Sequence, residues 1–250
     1  MAQTDADRVH YMFAKCARDV TPRGARNAAT VLFAPYSRDD ETTSRYAAIL
    51  TEFELGRAAR ILRQDARANF IQRRAFRRYC AAAALKSPRP MSNIAFSETD
   101  KGRPHLSDLP NMSLSFSSCR FGFVGAWSST HEIGVDIEDT TKDIEAAELA
   151  DRFFSNTEAR AIRGAEGRTR LRMFYRLWNL KEASLKSIGE GLPFGLDAFE
   201  FELASSPQVV HAPSQHGGAT RFQAYEIDLA NCCGALVIRS GRLSSRPVPL

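Results

Sequence analysis

The chain has no long hydrophobic run. None of its apolar stretches approaches the roughly 20 residues needed to cross a bilayer. Its opening, MAQTDADRVHYMFAKCARD, carries acids early and has no apolar block of signal-peptide type. Both absences lead us to expect a cytoplasmic protein with no membrane partner. Cysteine is scarce, with five in 250 residues. Cys16, Cys80 and Cys119 stand alone, Cys232 and Cys233 are adjacent, and no pair has metal-ligand spacing. They read as small buried hydrophobes, and no disulfide framework is expected. None of the five histidines has a convincing partner in the sequence, so neither a cysteine nor a histidine nucleophile is called for.

What is present is ordinary for a globular chain. Hydrophobic residues make up 44% and charged residues 25%, enough for one large domain or two small ones. The formal net charge of +5 favours acidic partners without choosing among them.

Residues 1–30 are polar and poorly patterned, and read as a loosely packed N-terminal extension. Thr30-Val31-Leu32-Phe33-Ala34 reads as a short strand ending at Pro35. Residues 45–86 read as helical, stopped by Pro88 and Pro90. A strand-rich middle follows. It includes Ser113-Leu114-Ser115-Phe116-Ser117, the apolar run 121–127 and the alternating run 132–138. Residues 144–188 read as helix broken near Gly164 and Gly167, and the end returns to strands. The order predicts an α+β fold in two similar halves, 31–126 and 127–240, with a tail at 241–250.

Two segments carry chemistry. In Gly134-Val135-Asp136-Ile137-Glu138, strand alternation puts Asp136 and Glu138 on one face and Val135 and Ile137 on the other. Paired carboxylates repel, so they belong at a wet edge or around a hard cation such as magnesium. In the helical segment 174–189, Phe174, Trp178, Lys181, Glu182, Leu185 and Lys186 share one side. That side is either the wall of a site or apolar packing beside a surface pair, Glu182 to Lys186. Taken alone, each segment leaves its bland reading open.

Together they resemble a known family. Gly134-Val135-Asp136-Ile137-Glu138 resembles the G-[IV]-D-[IV]-E motif of the 4'-phosphopantetheinyl transferases. Trp178-x-x-Lys181-Glu182-Ala183-x-x-Lys186 resembles their W-x-x-K-E-[AS]-x-x-K, and Arg152-Phe153-Phe154-Ser155-x-x-Glu158 their R-F-F-x-x-x-E. Upstream, Gly102-Arg103-Pro104 is similar to the family's G-[KR]-P turn, and residues 113–117 to N-[IL]-S-H-S. Order and spacing are those of the long, surfactin-synthetase-activating (Sfp) type, with two pseudo-equivalent halves in one chain. One departure falls at Phe116, where the family usually has histidine; phenylalanine can neither donate a hydrogen bond nor carry charge.

The resemblance implies an enzyme that moves 4'-phosphopantetheine from coenzyme A to a serine of an acyl or peptidyl carrier protein, releasing adenosine 3',5'-bisphosphate. It implies magnesium, or manganese, on Asp136, Glu138 and Glu182. Glu182 would be the base, with Lys181 and Lys186 neutralising phosphate and leaving group. Arg57, Arg74, Arg103, Ser115, Phe116 and Lys186 would bind coenzyme A. Residues 57–89 hold ten cations against Asp65 alone, and an acidic, transiently bound carrier protein suits the remaining basic surface. The expected protein is a monomer without nucleic-acid partners. The competing reading is a catalytically weak homologue that binds carrier protein or coenzyme A, and Phe116 is the residue that favours it. A nucleic-acid-binding module has only the basic helices behind it.

Overall fold

The structure is a computed structural model that describes residues 4–86, 91–107, 109 and 111–241. Helix α1 (Asp5–Cys16) starts at a capping box, in which the Thr4 hydroxyl accepts from the Asp7 amide and the Asp7 carboxylate returns the bond. It buries Val9 and Phe13, and Phe13 stacks on Tyr46 with centroids 4.5 Å apart. This corrects the expectation of a loosely packed opening. One i, i+4 apolar pair in a polar helix is a faint pattern, yet both members reach the core.

Strands β1 (Arg18–Asp19) and β2 (Thr30–Pro35) follow, then α2 (Asp40–Ala47), α3 (Glu52–Ala59) and α4 (Gln64–Leu85). The single helical stretch expected over 45–86 is divided. Thr51 caps α3 through a second capping box with Glu54, which starts a new helix after α2, and residues 60–63 separate α3 from α4. Pro88 and Pro90 lie outside the described residues. Next come β3 (Phe96–Glu98), β4 (Pro104–Leu106), β5 (Ser113–Cys119), β6 (Gly122–Ser128) and β7 (Glu132–Asp139). The last part holds α5 (Ala146–Phe153), α6 (Asn156–Gly164), α7 (Gly167–Ile188), β8 (Glu200–Leu203), β9 (Pro207–His211), β10 (Phe222–Leu229) and β11 (Cys232–Arg239). The fold is α+β, as expected.

Four antiparallel strands form one sheet in the order β1-β2-β6-β5, and three form another in the order β10-β11-β7. The sheets meet along β5 and β7, where serine side chains make the bonds. The Ile133 amide donates to Ser113 Oγ (3.0 Å) and the Val135 amide to Ser115 Oγ (2.9 Å), while Ser117 Oγ donates to Asp136 Oδ1 (2.7 Å). Alternation explains the pattern. Ser113, Ser115 and Ser117 turn toward β7, and Leu114 and Phe116 turn to the core beneath the N-terminal helices. A central apolar cluster joins the two sheets and includes Val31, Val124, Val135, Ile137 and Leu236. Asp136 and Glu138, on the opposite face of β7 from Val135 and Ile137, therefore face away from it. Cys80, Cys119 and Cys232 are buried, Cys16 and Cys233 half-buried, and all are free thiols. Among the described residues no helix is long and apolar enough to cross a membrane.

Candidate active site

The site is organised by how closely α7 crosses β7. A Cβ on Gly134 would stand 1.9 Å from the Ala183 carbonyl oxygen and 2.6 Å from the Ser187 nitrogen. Glycine alone allows that approach. It brings the C-terminal half of α7, with Glu182 and Lys186, against the strand that carries Asp136. A left-handed glycine, Gly189 (φ 75°), then ends α7.

Asp136 is buried. Its Oδ1 accepts from Lys186 Nζ at 2.6 Å and from Ser117 Oγ at 2.7 Å, while its Oδ2 is buried with no hydrogen-bond partner. Lys186 also donates to the Val135 carbonyl at 3.3 Å. Glu182 is half-buried, and burial first, then the charge of Asp136, hold its carboxyl above the usual range; Lys186 opposes this. Glu138 is raised for the same reasons in the same order, with Lys142 Nζ 3.6 Å away as the opposing charge. The three carboxylates thus share one field. Among the described residues no three His, Cys, Asp or Glu side chains converge as a finished metal cage. The donor set still fits a hard cation: all are carboxylate oxygens, one is a buried orphan, and mutual repulsion is what a cation would relieve.

Beside the carboxylates lies a cavity of about 240 Å³, whose walls include Arg77, Lys101, Arg103, Phe116, Glu182 and Lys186. Arg103 is buried and pairs with Glu132 at 2.6 Å, and it donates to Ser113 Oγ at 2.7 Å. Lys101 pairs with Glu190. On α4, Arg74 and Arg77 lie 3.7 and 3.8 Å from Glu98. Burial, followed by the charges of Arg74 and Arg73, lowers Arg77 to about 10.

Of the residues singled out in the sequence, Asp136, Glu138, Glu182 and Lys186 come together, with Arg103, Ser115 and Phe116 on the adjoining wall. The Ser115 hydroxyl is occupied with the Val135 amide. Arg74 sits behind the cavity wall on the Phe70 ring, and exposed Arg57 shares that ring from α3. Lys181 is a correction. Its ammonium is fully buried on the far side of α7, paired with Glu158 at 2.6 Å and donating to the Leu196 and Phe199 carbonyls. With its three N–H groups so engaged, it has none for a phosphate. Arg77 lines the cavity although, of the ten cations in residues 57–89, the resemblance favours Arg57 and Arg74; the spacing Arg73, Arg74, Arg77 on one helix is the available signal.

Residues 132–235 match the model of the 4'-phosphopantetheinyl transferase superfamily. That span opens on β7 and closes in β11, so it contains Asp136, Glu138, Glu182 and Lys186. The chain is 36% identical over 138 residues to the 4'-phosphopantetheinyl transferase Sfp of Bacillus subtilis, covering 55% of this chain and 60% of that protein. It is 33% identical over 155 residues to a putative 4'-phosphopantetheinyl transferase of Synechocystis, covering 61% and 62%. A human L-aminoadipate-semialdehyde dehydrogenase-phosphopantetheinyl transferase is 34% identical over 126 residues, covering 46% of this chain and 41% of that protein. The chain thus spans less than two thirds of the length of each of these relatives. Residues 132–235 are thus similar to the 4'-phosphopantetheinyl transferase superfamily, and the relatives bear out the resemblance to the Sfp type read from the motifs.

Proposed function

We propose that this chain transfers the 4'-phosphopantetheine group of coenzyme A to a serine hydroxyl of an acyl or peptidyl carrier protein. The observation that carries the reading is the crossing at Gly134, which sets Glu182 and Lys186 beside Asp136 at the mouth of a cavity walled by arginine. A phosphorylated substrate suits the arginine wall, and an acidic carboxylate set beside it suits metal-assisted phosphoryl transfer.

In this reading Glu182 takes the proton of the serine hydroxyl, a poor nucleophile at neutral pH. Its raised affinity for protons, from burial and from Asp136, suits a general base. The serine oxygen bonds to the nearer phosphorus of the pyrophosphate, and the phosphorus–oxygen bond to adenosine 3',5'-bisphosphate breaks. Lys186 neutralises charge on the phosphates. Asp136, Glu138 and Glu182 would hold magnesium, or manganese, and the ion would supply further charge neutralisation at the pyrophosphate. Arg103 helps shape the coenzyme A wall. We further propose that the chain acts as a cytoplasmic monomer and that residues 31–126 and 127–240 are its two halves.

The reading is tested by incubating the chain with coenzyme A, magnesium and apo-carrier proteins of several classes, then weighing the carriers. A mass gain of one phosphopantetheine, absent without the enzyme, supports it; no gain on any carrier from a chain that binds coenzyme A favours the weakly active homologue instead.

A further inference from the structure

Helix α4 carries three arginines near the cavity, of which Arg77 lines it, and aromatic rings lie under Arg74 and Arg77. Glu98, itself 46% exposed, is at salt-bridge distance from Arg74 and Arg77. The guanidinium of Arg74 lies over the Phe70 ring, 5.3 Å from its centroid, and that of Arg77 lies 5.3 Å over Phe116. The Nε atoms of Arg73, Arg74 and Arg77 are all buried without a hydrogen-bond partner. Burial penalises the charge of Arg77, and repulsion from Arg74 and Arg73 adds to the penalty. The cluster is thus short of negative charge, and it opens on the cavity through Arg77.

A ring face attracts a guanidinium without using any of its N–H groups. Phe116 can therefore restrain Arg77 and leave its donors to a ligand. A histidine at 116 would offer one hydrogen bond of its own but, when charged, would add to the repulsion.

We propose that Arg77, seated on the ring of Phe116, is a direct binding group for a phosphate of the ligand that enters this cavity, and that Phe116 is its positioning residue. The anion site rests on the geometry above; naming coenzyme A as the ligand rests on the proposed function. Arg73 and Arg74 lend their field from behind.

Calorimetric titration of the full chain with coenzyme A, and separately with inorganic pyrophosphate, tests the pair. Arg77→Met is expected to weaken coenzyme A binding about tenfold or more, the loss of one charge-assisted hydrogen bond. Phe116→Leu is expected to weaken it about two- to fivefold in the wild-type background and not at all in Arg77→Met. Melting of Arg77→Met should hold or rise, because repulsion on α4 is relieved. Should methionine at 77 prevent folding, Arg77→Lys replaces it in the same cycle, with the effect of Phe116→Leu expected to shrink. Binding within twofold of wild type in Arg77→Met, or an effect of Phe116→Leu that is the same with and without Arg77, overturns the proposal. The two readings fail separately. Arg77-dependent pyrophosphate binding without transfer to any carrier keeps the anion site and removes the enzyme reading. Transfer with a KM for coenzyme A indifferent to Arg77 does the reverse.

Discussion

Gly134 and Ala183 lie so close that a Cβ on the strand residue would stand 1.9 Å from the carbonyl oxygen of the helix residue. Backbone meets backbone there, so neither partner can yield by changing rotamer. The contact sets the height of α7 over β7, and with it the position of Glu182 and Lys186 above Asp136. Gly134→Ala must push the helix away, at a cost of about 1–3 kcal/mol or more. We expect a lower melting temperature together with a loss of transfer larger than the unfolded fraction explains. Wild-type turnover in a folded Gly134→Ala protein would show that the spacing of α7 does not set the site.

Asp136→Ala should abolish transfer and leave the fold intact. The substitution removes a carboxylate that raises both Glu138 and Glu182, so thermal melting should stay level or rise. It also removes the acceptor of the Lys186 bond, which leaves that ammonium the Val135 carbonyl and solvent. Magnesium should raise the melting temperature of the wild type and not of the mutant. Full turnover in Asp136→Ala would contradict the assignment of this carboxylate.

Lys181→Met should act on stability rather than on substrate. It leaves the buried Glu158 carboxylate without its ammonium partner, and breaking a buried pair costs about 3–5 kcal/mol. The folded fraction should keep its KM for coenzyme A. A raised KM at an unchanged melting temperature would put Lys181 back at the phosphates.

The carboxylate field also has a pH signature. Glu182 has a folded-state pKa above the ordinary 4.5, so above that pH the folded state holds more protons than the unfolded chain. Stability from this group therefore falls as pH rises through its raised value and returns on acidification. Glu182→Gln should melt above the wild type near neutral pH, and the two curves should converge as pH falls toward 4.5. A gap that is constant with pH would mean that Glu182 titrates normally.

Much of this site was readable before the fold. Alternation in Gly134–Glu138 placed Asp136 and Glu138 on one face, and the helical reading that ends at 188 matches the end of α7 at Ile188; both hold. Lys181 misled because it adjoins Glu182 on the helical wheel. One step of the helix turns it into carbonyls at 196 and 199 that no local pattern reveals. Helix α1 was missed because its few large apolar residues sit in a polar stretch and carry little periodic signal, although Phe13 packs against aromatics 33 and 63 residues further on, Tyr46 and Phe76. The division of 45–86 was missed because Thr51 and Glu54 cap a helix inside a run without proline. Arg77 could not be told from its neighbours until Phe116, from a distant strand, was placed beneath it.

The most direct test of the account is the intact mass of an apo-carrier protein after incubation with this chain, coenzyme A and magnesium, run in parallel with Asp136→Ala. The account predicts that the wild type adds the mass of one phosphopantetheine to the carrier, on its acceptor serine, and that the mutant adds none. An unmodified carrier in every wild-type reaction, or equal modification by the mutant, would contradict it.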